Sequence, residues 1–469
     1  MADVLFHVDL LDINIDMKLF HCKTLVTVLL TSRLCCFAAK AQEQASESVM
    51  NLHDCMEYAI GNSTKIRLQE ADRSDEQWLR RQAIMQAFTP TLQAQTYAYN
   101  QYGRNLDPET NTYNTVTTFH NGYSVTAGIT LFDGFQAVNN LKMASTAARM
   151  GLSSQQQAED EICLATMEAY YNVIYYTELE SVLEGQVETA RSAHERARMQ
   201  EEIGQKGHAD VLQMESELAQ KQYQLVNATN RKSDAILTLK DVMFYPVEDI
   251  LAIDTHIDEP LLTSLQASDI TASAKQSLPS AQIASMSLRK ASLDLKSARG
   301  SYSPTFGLYG GWSTTYYTYP GMEGYTPTPF KNQFANNGGE YIELALSIPI
   351  FDQLSRRTTL NRKKNEVSRA EARYDQTMRD IENEVARAVN DREGAQAAFM
   401  QAERLADVQQ EAYRLSTRQF ETGLISAIEY QTASQTYLNA MAERLNSLLK
   451  LRIKDAVVRY YNGEPYINQ

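Results

Sequence analysis

Two stretches of the chain alternate between apolar and polar residues. Tyr123, Val125, Ala127, Ile129 and Leu131 interleave with Ser124, Thr126, Gly128 and Thr130, and Ile342, Leu344, Leu346, Ile348 and Ile350 interleave with Tyr341, Glu343, Ala345, Ser347 and Pro349. A period of two gives a strand one apolar and one polar face. Two further stretches start at a proline, at Pro90 and Pro304, and carry the same period more weakly. The spacing predicts strands over 90–103, 122–132, 304–317 and 340–350. Each is near the ~9–11 residues that cross a bilayer as a tilted strand. Polar segments, Arg104–Asn121 and Thr318–Gly339, read as the loops that join them in pairs. Tyr309, Trp312, Tyr316 and Tyr317 crowd the end of the third strand beside its loop, where an interfacial aromatic girdle would lie.

Between the strand pairs the period lengthens. No proline occurs between Pro108 and Pro246, or between Pro349 and Pro465. Val367, Tyr374, Ile381, Ala388, Ala395 and Ala402 recur every seventh residue, with Glu371, Met378, Val385, Arg392 and Phe399 as a half-apolar second row. This heptad, rich in small residues, predicts closely packed helices over 135–203, 207–240, 353–421 and 425–460. The longer ones would run roughly 100 Å at about 1.5 Å per residue. Both a coiled coil and a helical barrel fit that length.

The chain also repeats itself. Placing Phe132-Asp133 on Phe351-Asp352 sets Leu141 on Leu360, Gly204 on Gly423 and Asp210 on Glu429, and Pro90 meets Pro304 after a small shift in the loops. Several matches in one order of elements indicate a duplication. The first repeat is read as 42–240 and the second as 268–461. A linker covers 241–267 and a tail 462–469. In each repeat a strand gives way to a long helix at a Phe-Asp pair, whose aspartate is placed to cap that helix.

Composition narrows the class. The formal net charge is −14, which disfavours a nucleic-acid partner. From Met17, read as the true start, Lys18 and Lys23 precede the apolar Leu25–Leu30, and Ala39-Lys40-Ala41 precedes Gln42. That order reads as a signal peptide cleaved near Ala41–Gln42, with 1–41 as extension and leader. Beyond it only Cys55 and Cys163 remain, too few for a disulfide framework. No later apolar run is long enough for a transmembrane helix. His194 and His208 do not form a metal motif, no phosphate-binding glycine loop follows a strand, and no nucleophilic triad is arranged, so neither enzyme chemistry nor a cofactor or metal is expected.

Four strands cannot close a membrane barrel, since the smallest have about eight and open edges in lipid leave backbone groups unpaired. Subunits would have to pool them; strand count alone allows a dimer or a trimer. At this point the chain resembles the TolC-type outer-membrane efflux proteins. The likeness is carried by "FTPTLQAQTY" and "SPTFGLYGGW", by the hinges "LFDGF" and "IFDQL", and by the helix–Gly–helix turns "RMQEEIGQKGHADVLQMESEL" and "TRQFETGLISAIEYQTASQTYL". The loop "QYGRNLDPETNTY" resembles that of members from Bacteroidetes-like bacteria. The likeness spans roughly Asn51–Tyr461.

The resemblance implies an α+β membrane protein. Its internally duplicated protomer would lend four strands to a trimeric twelve-stranded outer-membrane β-barrel in lipid, and its coiled-coil helices to a periplasmic α-barrel. It implies a passive exit duct for a tripartite efflux pump or type I secretion system, working with a periplasmic adaptor and an inner-membrane transporter. The turns at Gly204 and Gly423 would form the closed periplasmic tip. There Asp210 and Glu429 would supply acidic groups, Phe420 an aromatic of the gate and Lys206 a cation. The family's arginine and second acid are replaced by Ile425 and Thr432. The competing reading is a periplasmic coiled-coil adaptor or scaffold with a small β domain.

Overall fold

A computed structural model of the chain describes residues 49–106, 111–256 and 267–469. The leader and its cleavage point lie outside the described residues, as do 257–266 of the linker. The chain divides into two units, Met1–Met50 with Ile250–Asp254 and Asn51–Asp249 with Thr255–Gln469. In the described part of the smaller unit, Met50 bridges Ile253 in parallel. Met50 N donates to Ala252 O at 2.9 Å, and Asp254 N to Met50 O at 3.0 Å.

The larger unit follows the duplicated order. Helices α1 (Leu52–Asn62) and α2 (Thr64–Phe88) lead into strand β1 (Thr91–Gln101). A small hairpin, β2 (Arg104–Leu106) and β3 (Tyr113–Thr115), precedes β4 (Thr118–Phe132), and then come α3 (Gln136–Glu202) and α4 (His208–Met243). The second half runs α5 (Ala267–Ser277), α6 (Pro279–Gly300), β5 (Thr305–Thr318), α7 (Phe330–Asn336), β6 (Gly339–Ser347), α8 (Ser355–Glu421) and α9 (Ala427–Tyr461). Helices α3 and α8 are each 67 residues long. Their ends fall on matching positions of the repeat. Each first helix pair is broken at one residue: Ser63, whose hydroxyl caps α2 by accepting from Lys65 N and Ile66 N, and Leu278, followed by a proline at the first position of α6.

The four long strands form one antiparallel sheet in the order β1-β4-β5-β6. Register and alternation put Leu92, Ala94, Val125, Ala127, Ile129, Leu308, Ile342, Leu344 and Leu346 on one face. Glutamines, threonines, serines and tyrosines occupy the other. The apolar face is open: Ile342 is 86 % exposed and Leu344 65 %. Among the described residues the outer edges of β1 and β6 pair with no further strand.

Three sequence expectations shift. Strand β6 ends at Ser347 rather than Ile350, because Pro349 has no N–H for a ladder. Arg104–Asn121 is not all loop: it holds the β2–β3 hairpin and the start of β4. Thr318–Gly339 contains α7, whose polar residues hid a specific role. Opposite β6 the β5 ladder stops at Ser313. Beyond it, Gln333 of α7 accepts from Tyr317 N at 3.0 Å and donates to Tyr317 O at 2.9 Å and Thr328 O at 3.0 Å. Asn337 donates to Thr315 O at 2.7 Å and Thr314 Oγ1 to Phe334 O at 2.8 Å. Side-chain amides thus stand in for the missing length of β6 and satisfy backbone groups that an edge would leave open.

The helices are held by small residues and a few buried charges. Ile381, Val385 and Ala388 of α8 pack with Ile270, Ala274, Leu278 and Ala281, and with Val458 of α9. Arg392, the cationic member of the second heptad row, is buried against Asp455, Nε to Oδ1 at 2.6 Å. Asp455 also pairs with Arg459 at 2.7 Å. Removing one partner of such a pair strands the other charge, which costs about 3–5 kcal/mol. Among the described residues no helix is long and apolar enough to cross a membrane.

Candidate functional site

Three regions carry the residues singled out from the sequence: the hinges, the turns and the aromatic part of the sheet. At the first hinge Asp133 Oδ2 accepts from Ala137 N at 2.7 Å; at the second Asp352 Oδ2 accepts from Arg356 N at 2.8 Å. The residues at the helix starts, Phe135 and Leu354, hold left-handed backbone with φ of 64° and 67°. The aspartates therefore reach over them to the free N–H groups of the first turn. Phe132 meets Phe135 edge-on at 5.4 Å, whereas Phe351 is 77 % exposed. Only the first hinge has a glycine, Gly134, at φ +71°. A Cβ there would lie 2.2 Å from Gly300 O, and one at Gly300 2.3 Å from Gly134 O. The two glycines let the chain leaving β4 touch the chain entering β5. Pro90 and Pro304 stand just before β1 and β5.

The two turns are copies of each other and lie together. Gly204 and Gly423 both have φ of +74°. In the first turn Gln205 N donates to Gln200 O at 2.8 Å, and in the second Leu424 N donates to Gln419 O at 2.8 Å. This is the glycine-ended helix terminus in which a left-handed residue turns the last carbonyls inward. Ala193, Ala197, Val211 and Met214 from the first turn region share one cluster with Phe420, Ala427 and Tyr430 from the second. Arg196 of α3 pairs with Glu421 of α8 at 3.0 Å.

The predicted tip residues divide by environment. Phe420 is buried and stacked on Tyr430, ring centres 5.0 Å apart, and Lys206 Nζ lies 3.6 Å from the Phe420 ring centre. Desolvation pushes the Lys206 ammonium below its ordinary pKa, against the pull of Asp210. Asp210 accepts from Gly207 N at 3.3 Å, and Glu429 from Ser426 N at 2.8 Å and Ser426 Oγ at 2.9 Å. The Ser426 backbone N–H, and next its hydroxyl, hold the Glu429 carboxyl below the usual range. Both acids serve as caps of α4 and α9, and Glu429 is at the same time an exposed anion. Ile425 packs against the shared cluster, and Thr432 Oγ1 donates back to Ile428 O at 2.9 Å.

A single aromatic girdle does not describe the sheet. Side chains alternate along β5, so Trp312 and Tyr316 lie on the apolar face, under Phe334 and Phe330 of α7 at 5.4 Å each. Tyr309 and Tyr317 lie on the polar face. An alternating strand cannot hold neighbouring aromatics on one side.

The model of the outer membrane efflux protein family matches residues 57–243 and 271–461. The chain belongs to the outer membrane efflux protein family. The structure resembles that of CusC, at 15 % identity and a TM-score of 0.73, over 88 % of this chain and 92 % of that one. It also resembles the Campylobacter jejuni CmeC outer membrane channel, at 15 % identity and a TM-score of 0.73, over 88 % and 85 % of the two chains. The open-state Neisseria gonorrhoeae MtrE outer membrane channel matches at 16 % identity and 0.72, over 89 % and 90 %. No curated protein sequence matches the chain. These likenesses establish the fold: helices of a tunnel plus strands of a barrel.

Within this efflux-family fold some residues had gone unnoticed. Tyr413 joins Phe420 and Tyr430 in the cluster shared by the two turns, its hydroxyl 3.3 Å from that of Tyr430 and its ring stacked on Tyr437 at 5.3 Å. The spacing of Tyr430 and Tyr437 by seven was the available signal. Gln333 had none, because only the register of β5 against β6 reveals the backbone it completes.

Proposed function

We propose that this outer-membrane efflux protein is the passive exit duct of a tripartite efflux pump or type I secretion system. Three copies would join β6 of one to β1 of the next and close a twelve-stranded barrel. The observation that carries this reading is the sheet itself, with an exposed apolar face and two unpaired edges. Strand β1 runs opposite to β6, so edge-to-edge joining of copies is antiparallel throughout, as in outer-membrane barrels. Open edges in lipid leave backbone groups unpaired at several kcal/mol each, so closure is required rather than optional. Helix α2 supports the same assembly. Its exposed Trp78, Met85 and Phe88 fall on one side of the helix and form an apolar stripe that a neighbouring copy would cover.

In this arrangement the hinges at Phe132-Asp133 and Phe351-Asp352 stand at the periplasmic bilayer edge, and α3, α4, α8 and α9 form the tunnel wall. Gly204 and Gly423 mark its tip, where Asp210, Glu429, Lys206 and Phe420 act in the gate and an adaptor with its inner-membrane transporter docks. The leader cleaved near Ala41–Gln42 directs export. Fractionation of cells tests the reading. The protein is expected in the outer membrane as a trimer that falls apart only on heating in detergent. Recovery as a soluble periplasmic protein would instead favour the adaptor reading.

A further inference from the structure

The polar face of the sheet repeats one arrangement at each of its three strand junctions. Tyr97 of β1 is the direct partner of Gly122 of β4, Tyr309 of β5 of Gly128 of β4, and Tyr341 of β6 of Gly311 of β5. In every pair the tyrosine ring lies over the glycine. A Cβ on Gly122 would sit 2.3 Å from the Tyr97 ring, one on Gly128 2.7 Å from Tyr309, and one on Gly311 2.8 Å from Tyr341. Cross-strand glycine and aromatic partners recur where a ring must fold down onto the sheet. The rings nonetheless keep one side open, being 46 %, 41 % and 44 % exposed for Tyr97, Tyr309 and Tyr341. On this face the strands carry no lysine or arginine, and the one carboxylate there is Glu343, directly opposite Tyr309; Glu340, opposite Trp312, lies on the apolar face.

We infer that this face is a selectivity surface for aromatic cations leaving through the duct; the inference rests on the duct reading above. A ring laid flat presents its negative π-face to the passage, and a cation above it gains about 0.5–1 kcal/mol at an exposed site. Glu343, repeated around the barrel, adds a negative charge beside one of these rings, and no cationic side chain on the strands opposes it. Rings standing out from the wall would narrow the passage, whereas rings seated on glycine leave it wide and still offer a stacking surface. Aliphatic cations would feel Glu343 but not the stacking. Anions would feel neither attraction.

Single-channel recording of the purified full-length trimer in planar bilayers tests this, with probes added from the barrel side. Tetraphenylphosphonium, an aromatic cation, is expected to dwell longer than tetraethylammonium. Tyr309→Leu and Tyr341→Leu should each shorten the tetraphenylphosphonium dwell about two- to fivefold, leave tetraethylammonium unchanged, and be rescued by phenylalanine at the same position. Glu343→Gln should reduce block by both cations. Equal dwell for the two probes, or no change in the leucine variants, would overturn the inference while leaving the duct intact. A trimer that conducts nothing would overturn the duct reading and this inference with it.

Discussion

Replacing Gln333 by leucine tests whether α7 completes the barrel wall. In the native protein this side chain is 3 % exposed and makes three hydrogen bonds, two of them to the main chain of Tyr317 at 3.0 and 2.9 Å. Leucine fills a similar volume but offers neither donor nor acceptor, so the Tyr317 N–H and C=O must find water, which requires α7 to lift. A net ~0.5–1.5 kcal/mol per bond puts the loss of the Tyr317 pair at about 1–3 kcal/mol, a rise of roughly 5- to 150-fold in the lifted population. Lys331, in the first turn of α7, is the sole basic residue between Thr318 and Gly339. Trypsin cleavage after Lys331 therefore reports the lifting, because the rate follows the open population when opening is fast. Gln333→Leu trimers should be cut at Lys331 faster by that factor. Asn337→Leu, which loses one bond to Thr315 O, should be cut only about 2- to 13-fold faster. Cleavage of Gln333→Leu at the native rate would refute the role assigned to α7.

Three further perturbations probe the hinges, the helix core and the tip. Gly134→Ala should abolish trimer recovery, because its Cβ meets Gly300 O at 2.2 Å at a positive φ, while Gly204→Ala, with open space around it, should lose only ~1–2 kcal/mol on urea titration; equal effects would contradict the hinge contact. Desolvation raises the Asp160 carboxyl above its ordinary pKa, outweighing hydrogen bonds from Gln156 and Tyr460. Folding therefore disfavours the charge, and stability falls as pH rises from the unfolded pKa through the raised folded one. Asp160→Asn should accordingly raise the heat-dissociation temperature at pH 8 and not at pH 3; the same shift at both would remove this account. Glu429→Gln should lower cation selectivity in single-channel recordings, and because Ser426 holds the carboxyl below the usual range, the wild-type selectivity should persist into mildly acidic buffer; unchanged selectivity in the variant would assign Glu429 to capping alone.

Much of the fold was legible because it rests on periods. The alternation at Tyr123–Leu131 and the proline-free, alanine-rich heptads specify strand and helix locally, and the repeat of Phe-Asp and glycine positions ties the halves together. What stayed hidden depends on register between distant segments. Tyr309 and Gly128 are direct partners, yet nothing near either in sequence announces the other. The same holds for Gly134 against Gly300, and for Gln333 completing the edge of β5. Nearness in sequence also does not give the face of an aromatic: Tyr309, Trp312, Tyr316 and Tyr317 share the end of one strand, which sends Trp312 and Tyr309 to opposite faces. At the tip, Glu429 and Asp210 were readable as first-turn acids, but the stacking of Phe420 on Tyr430 came only from bringing both turns together.

The central claim is that copies of this chain close a barrel by joining β6 to β1, and cysteine cross-linking across that junction tests it most directly. Single cysteines at Leu92, Ala94, Thr96 or Ala98 would be combined with one at Ile342, Leu344 or Leu346, all on the apolar face. Facing strand residues lie about 4.5–5.5 Å apart, within the range that a disulfide spans. The account predicts that pairs of one antiparallel register cross-link in the outer membrane and give a ladder that ends at three copies. A ladder ending at two copies, or no cross-linking from any pair, would contradict it.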